Sequence, residues 1–263
     1  KDELAKTGDM YVEALSMRPA AKFIEDQPGL KRVSVRLDVD HQPNVGDIFG
    51  LQWIWGGGAT VLKDYSHLFP REDLMNVRYR IEPSSTPDPG AVYQDSLWKV
   101  YENRKAFPRA WIVHQTVVAS SDEAAVALAE RTSTDLHKVG IVETPLSFPG
   151  GGIANDSVSF QEYQAGAMKL RARTSSPGML ILSEVYYPGW RAVVNGKPIP
   201  VIRVDGGIRG IPLASGESRV EMEYVPVIAW IGVLSTLLTT LVCAWLAWRS
   251  WLLTRSVGKE LAE

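Results

Sequence analysis

Carboxylates and an imidazole in one short stretch can share a divalent ion, and Asp38-Val39-Asp40-His41 combines them. The two acids flank a single residue, so on a strand both would point to one face, as ligation needs. They stand at the end of an expected strand, where acids more often begin turns, and no metal site is expected there. His67, His114 and His137 lie in no cluster with cysteines or several acids and read as surface or core residues. Neither a Gly-x-Ser-x-Gly elbow nor a phosphate loop ending in Gly-Lys-Ser/Thr occurs. Gly56-Gly57-Gly58 lacks the following lysine and helix start and reads as a flexible loop. Asn155-Asp156-Ser157 fits a glycosylation sequon, a tripeptide common by chance. No catalytic set, metal site or cofactor is expected in this chain.

The most distinctive segment is Ser183–Gly196, SEVYYPGWRAVVNG. Tyr186, Tyr187 and Trp190 with Arg191 are the candidate substrate-binding residues, a platform for a sugar ring or a lipid headgroup. The competing and simpler assignment puts Trp190 in a core while Pro188-Gly189 turns the chain.

The elements that must position these residues follow from pattern. Residues 1–27 space Leu4, Tyr11, Ala14, Leu15 and Phe23 as a helical stripe, kinked or split at Pro19 and stopped at Pro28-Gly29. Lys31–Val39 alternates polar and apolar, as a half-buried strand does. Val77–Ile81, Leu97–Asn103, Ala110–Val118 and Val139–Glu143 are further strands. Ser120 with Glu123 reads as a capping box before a short helix. Phe148-Pro149 and the glycines 150–152 mark a boundary. Beyond it lie Val158–Gln164, Ala167–Thr174, Met179–Glu184, Arg191–Val194, Ile199–Val204, Ile208–Pro212 and Arg219–Tyr224, short strands of a small sandwich, with a type I′ turn at Asn195-Gly196.

Tyr224 to Trp248 runs without a charge for roughly 25 residues, about 37 Å of helix, which exceeds a ~30 Å hydrocarbon core. Pro226 suits the first turn, and Trp230 at one end with Trp245, Trp248 and Trp251 at the other suit headgroup belts. Arg249, Arg255 and Lys259 follow the span while Glu221 and Glu223 precede it, so the C-terminus is expected in the cytoplasm and the bulk of the chain outside. The single cysteine, Cys243, lies in the span and excludes structural disulfides and zinc clusters. A net charge of −2 without a basic stripe excludes a general nucleic-acid binder. The chain starts at Lys1 without a signal peptide, so a longer polypeptide is expected to carry it across the membrane.

At three separated places the chain resembles the YfhO family of bacterial polytopic membrane proteins. Leu182–Trp190, LSEVYYPGW, is followed by Asn195-Gly196, the Gly-rich Gly206–Gly210, a turn over Pro212–Gly216 and Tyr224–Pro226, all in the family's order. Leu74-Met75-Asn76-Val77-Arg78-Tyr79 resembles a "Leu-Asn-Val-Arg-Tyr" strand with Met75 extra. Leu97–Arg109, LWKVYENRKAFPR, resembles a segment ending Ala-Leu-Pro-Arg, with Phe107 replacing the Leu. The resemblance implies many upstream transmembrane helices and similarity to lipid-phosphosugar-dependent glycosyltransferases of the GT-C class. Those take sugar from an undecaprenyl-phosphate carrier and place it on a cell-envelope glycopolymer outside the cytoplasm. Their catalytic acid sits in the first outer loop, which this chain lacks, so no catalytic residue is carried over and Asp38-Val39-Asp40 is not that acid.

The expected class is α+β: a mixed α/β subdomain over 1–149, a membrane-proximal antiparallel β-sandwich over 150–224, a transmembrane helix over 225–249 and a cytoplasmic tail over 250–263. Its expected partners are the bilayer of a bacterial cell membrane, the protein's own upstream bundle, an undecaprenyl-phosphate-sugar and a cell-envelope glycopolymer. The alternative is a non-enzymatic, membrane-anchored module that binds carbohydrate or protein.

Overall fold

Local pattern and tertiary pairing divide the chain between two strand systems and a helix that leaves them. The computed structural model describes residues 15–36, 45–54, 62–85, 87–146, 148 and 156–260. The first part carries α1 (Arg18–Glu25), β1 (Arg32–Val35), α2 (Val45–Phe49), β2 (Gln52–Trp53), α3 (Lys63–Leu68), β3 (Val77–Pro83), β4 (Tyr93–Gln94) and β5 (Trp98–Glu102). Then come β6 (Ala110–Val113), β7 (Gln115–Val118), α4 (Asp122–Ala129) and β8 (Val139–Val142). The last part is β9 (Ser157–Tyr163), β10 (Ala167–Thr174), β11 (Gly178–Val185), β12 (Trp190–Val194), β13 (Lys197–Ile199), β14 (Ile202–Val204), β15 (Ile208–Leu213), β16 (Gly216–Tyr224) and α5 (Val227–Glu260). Asp38–His41, Gly56–Gly58, residues 150–152, Asn155 and the helical residues expected before Leu15 lie outside the described residues.

Pro19 falls in the first turn of α1, where a missing N–H costs nothing, so it opens that helix. The helix lays Met17, Ala20, Ala21 and Ile24 on Val33, Val35, Ile81 and Val100 of a five-stranded mixed sheet, ordered β2-β1-β3-β5-β4. The cap of α4 is Ser121, whose hydroxyl accepts from the Ala124 N–H at 3.2 Å, and not the expected Ser120. Glu123 then stands in the first turn, one place short of a capping-box partner.

The second system is a sandwich. One sheet is antiparallel, ordered β13-β12-β16-β10-β9, and β10 alternates strictly between exposed and buried side chains. It packs Met168, Leu170, Ala192, Val220 and Met222 against Ile112, Leu180, Leu182 and Ile211 of a six-stranded sheet, ordered β6-β11-β15-β14-β8-β7. That second sheet takes strands from both sides of the glycine run at 150–152, three before it and three after. Its β11 is buried on both faces: Leu180 and Leu182 face the sandwich, while Met179 and Ile181 face a second core with Trp111, Val204, Ile208 and the α4 alanines. The expected strand Ala110–Val118 is two strands broken at His114. They form opposite edges of this one sheet, so the bent stretch rolls the sheet toward closure. Ile199–Val204 likewise divides at Pro200 into β13 and β14, which join different sheets. Asn195 and Gly196 take φ of 51° and 80°, the left-handed pair that a type I′ turn requires.

Candidate functional site

The end of β11 puts a carboxylate where three guanidiniums meet. Glu184 Oε2 accepts from Arg32 Nη2 at 3.0 Å, and Oε1 accepts from Arg109 Nη1 at 3.1 Å and from the Tyr163 hydroxyl at 2.6 Å. Arg109 Nη2 also donates to Gln52 Oε1. Arg209 Nε donates to the Val185 carbonyl at 3.0 Å, and its guanidinium carbon lies 3.7 Å from the centre of the Trp190 ring, a close cation–π stack. Arg32 Nη1 donates to the carbonyls of Met75 at 2.9 Å and Ser183 at 2.6 Å, and Ser183 Oγ donates to the Leu74 carbonyl at 2.8 Å. Asn76 Nδ2 donates to the Phe107 carbonyl at 2.7 Å. These bonds join β1, the lead-in to β6, β9, β11 and β15, so the cluster ties the mixed sheet to the sandwich. The three stretches that carry the family resemblance, 74–79, 97–109 and 182–190, meet here.

Burial sets the electrostatics of this cluster. Alone it would push the Glu184 carboxyl up, but Arg32 and Arg109, helped by the Tyr163 hydroxyl and Arg209, hold it below the usual range. Burial and the neighbouring Glu184 push the Tyr163 phenol to about 12. Burial pulls Arg209 down to about 10 against the attraction of Glu184. Sequence reasoning missed Glu184, Arg109, Arg32 and Arg209, because their partners lie up to 152 positions apart.

Just beyond Glu184 the chain turns onto the outer face of the sandwich. Gly189 adopts φ of +107°, and a Cβ there would lie 2.9 Å from the Tyr224 ring. The turn packs Tyr187 and Trp190 at a tilt against Tyr224, with ring centres 5.9 and 5.7 Å away. Strand register then sets two outward rows: Arg191–Glu223–Ala167, and Val193–Glu221–Lys169–Glu162. With a wall of Pro198–Val201 they line a groove of 740 Å³ that includes Trp190. Two cations and three acids stand over apolar side chains, and Lys169 Nζ is 3.0 Å from Glu162 Oε1. Apolar surface with a few convergent polar groups suits a sugar ring, whose C–H faces stack while its hydroxyls bond. Of the four candidate residues the groove gathers Trp190 and Arg191. Tyr186 and Tyr187 stand outside its walls, the first donating its backbone N–H to the Gly207 carbonyl at 2.7 Å. Trp190 also packs against the sandwich core.

The histidines separate by environment. His67 lies with Lys63, Asp122, Glu123 and Arg203 around a 250 Å³ cavity. His137 stacks flat on Phe107 with ring centres 3.7 Å apart. His114 has an acidic partner that spacing could not reveal: Nε2 is 2.7 Å from Asp156 Oδ2, and Nδ1 is 2.9 Å from the Pro177 carbonyl. Both ring nitrogens therefore face acceptors, which favours the protonated ring. Ser176 Oγ is 3.1 Å from Nδ1, but that nitrogen's proton is committed to the carbonyl, so the three residues form a clamp and not a nucleophile with its base.

The last strand runs almost directly into α5, whose Val227–Arg249 stretch has a mean hydropathy of 2.2 and no part buried against the rest of the chain. This defines a membrane protein with a β-rich domain and one candidate C-terminal span. Residues 153–236 match the family described as bacterial membrane protein YfhO. No curated protein and no solved structure matches the chain.

Proposed function

We propose that this chain is the C-terminal extracytoplasmic part of a YfhO-like membrane glycosyltransferase whose catalytic residues lie upstream. The enzyme takes sugar from an undecaprenyl-phosphate carrier and adds it to a cell-envelope glycopolymer, and the chain positions that acceptor. The supporting observation is the 740 Å³ groove, whose Arg191–Glu223 row ends one residue before Tyr224 and four before the span begins. A polymer lying there runs along the membrane surface, within reach of a transmembrane bundle. Trp190 and Arg191 contact the polymer, with Tyr186 and Tyr187 at the margin. Glu221 and Glu223 before the span and Arg249 after it favour an outer domain and a cytoplasmic C-terminus. In this reading residues 150–224 carry the binding face and 1–149 brace it from the far side.

The test is sugar transfer to purified envelope glycopolymer by membranes that hold the full-length protein. Val193→Trp fills the groove from an outward position, and Arg191→Ala removes its cation. Each is expected to raise the KM for polymer about tenfold, the weight of one good polar or stacking contact, with kcat retained. Unchanged KM in both would remove the groove from the reaction. Polymer binding without transfer by the wild-type protein would make it a binding module.

A further inference from the structure

The ionised groups around Glu184 do not balance. Arg32, Arg109 and Arg209 bring three positive charges, and among the described residues Glu184 is the only carboxylate that bonds to any of them. The Tyr163 phenol stays neutral at physiological pH. Guanidinium does not shed its proton in a protein, so two positive charges remain in excess at a site where Arg109 is 4% and Arg209 6% exposed. Two donors have no partner among the described residues: Arg109 Nε and Arg209 Nη1 are buried without a hydrogen bond. Buried charge without a counter-charge is strongly unfavourable, and unpaired guanidinium N–H groups suit an oxyanion's fork of acceptors.

We propose that the Arg32–Arg109–Arg209 cluster is an oxyanion site that takes a phosphate group, as inorganic phosphate or a phosphate monoester. A phosphate dianion would cancel both excess charges, whereas a carboxylate would leave one. Trp190 covers Arg209 and also walls the groove, so a phosphate entering from the groove must displace that ring. This site shares Trp190 with the polymer-binding groove, but nothing in the acceptor reading requires it.

Thermal unfolding of the whole chain in neutral detergent tests the proposal, with calorimetric titration beside it. Inorganic phosphate at a hundredfold excess over its Kd is expected to raise Tm by about 5–10 °C over chloride at equal ionic strength. Phosphatidic acid doped into the micelles is the second arm. A shift with phosphate alone makes the ligand a free ion or soluble ester, and a shift with phosphatidic acid makes it a lipid headgroup. Arg209→Gln should weaken binding at least tenfold, while Arg191→Ala, which alters only the groove, should leave it intact. Absence of calorimetric binding by the wild type in both arms overturns the site, even if Arg209→Gln fails to fold. So does a folded Arg209→Gln chain that keeps the full shift.

Discussion

Replacing Glu184 with Gln keeps the shape of the cluster and removes its one negative charge. Arg32 and Arg109, at 12% and 2% side-chain exposure, would then share a buried site with no ionised partner among the described residues. Removing one member of a buried pair costs about 3–5 kcal/mol, because the remaining charge stays desolvated. For a chain of this size each kcal/mol moves Tm by about 2–4 °C, so Glu184→Gln should lower it by about 6–20 °C at pH 7. The pH matters. The carboxyl is held below its ordinary value, so its contribution is complete above about 4.3 and is lost as pH falls through the lower folded value. Near-UV circular dichroism in detergent reads the transition. A Glu184→Met/Arg109→Met double variant should cost less than the sum of the singles, since removing both charges leaves fewer stranded. The exposed pair Lys169–Glu162 is the control, and Glu162→Gln should leave Tm within about 1 °C. A fall below about 2 °C for Glu184→Gln, or strict additivity in the cycle, would refute the argument that this cluster joins the sheets.

Burial lowers the His114 pKa, but the Pro177 carbonyl and Asp156 outweigh it and set the ring above its ordinary value. Its contribution is therefore full below about 6.5 and lost as pH rises through the folded value; His114→Gln should flatten Tm against pH between about 6 and 8. Asp205, fully buried and pushed up to about 7, acts in the same sense. Its neutral form favours the fold below about 4, and stability drops by about 1 kcal/mol per pH unit towards 7, a slope that urea titrations of Asp205→Asn should lack. Asparagine tolerates the φ of +53° there, so the substitution isolates charge from strain. Gly189→Ala places a Cβ against Tyr224 at a positive φ and should cost about 1–3 kcal/mol in the same titrations.

What the sequence reveals divides along the range of the forces involved. The alternation of Ala167–Thr174 and the positive φ pair at Asn195-Gly196 are set by neighbours in the chain, and those elements stand where pattern puts them. The uncharged run at 224–248 becomes one long helix for the same reason. Pairing is different. Ala110–Val118 has the composition of one strand, but its halves border β11 and β8, and only the tertiary roll decides the break at His114. Trp190 and Arg191 share a groove because β12, β13 and β16 are adjacent, whereas Tyr186 and Tyr187, nearest in sequence, fall outside it. The cluster at Glu184 gave no periodic signal, since hydrophobic pattern records what is buried and not which charges are buried together.

The placement of the groove outside the membrane is tested most directly by labelling. Lys197 sits exposed on the hairpin that borders the groove, so Lys197→Cys in a background with Cys243 and every other native cysteine changed to Ser offers one thiol there. In intact cells that express the full-length protein, a membrane-impermeant maleimide should label that thiol as fully as it does after permeabilisation. Labelling only after the membrane is opened would put the groove on the cytoplasmic side and contradict the role proposed for it.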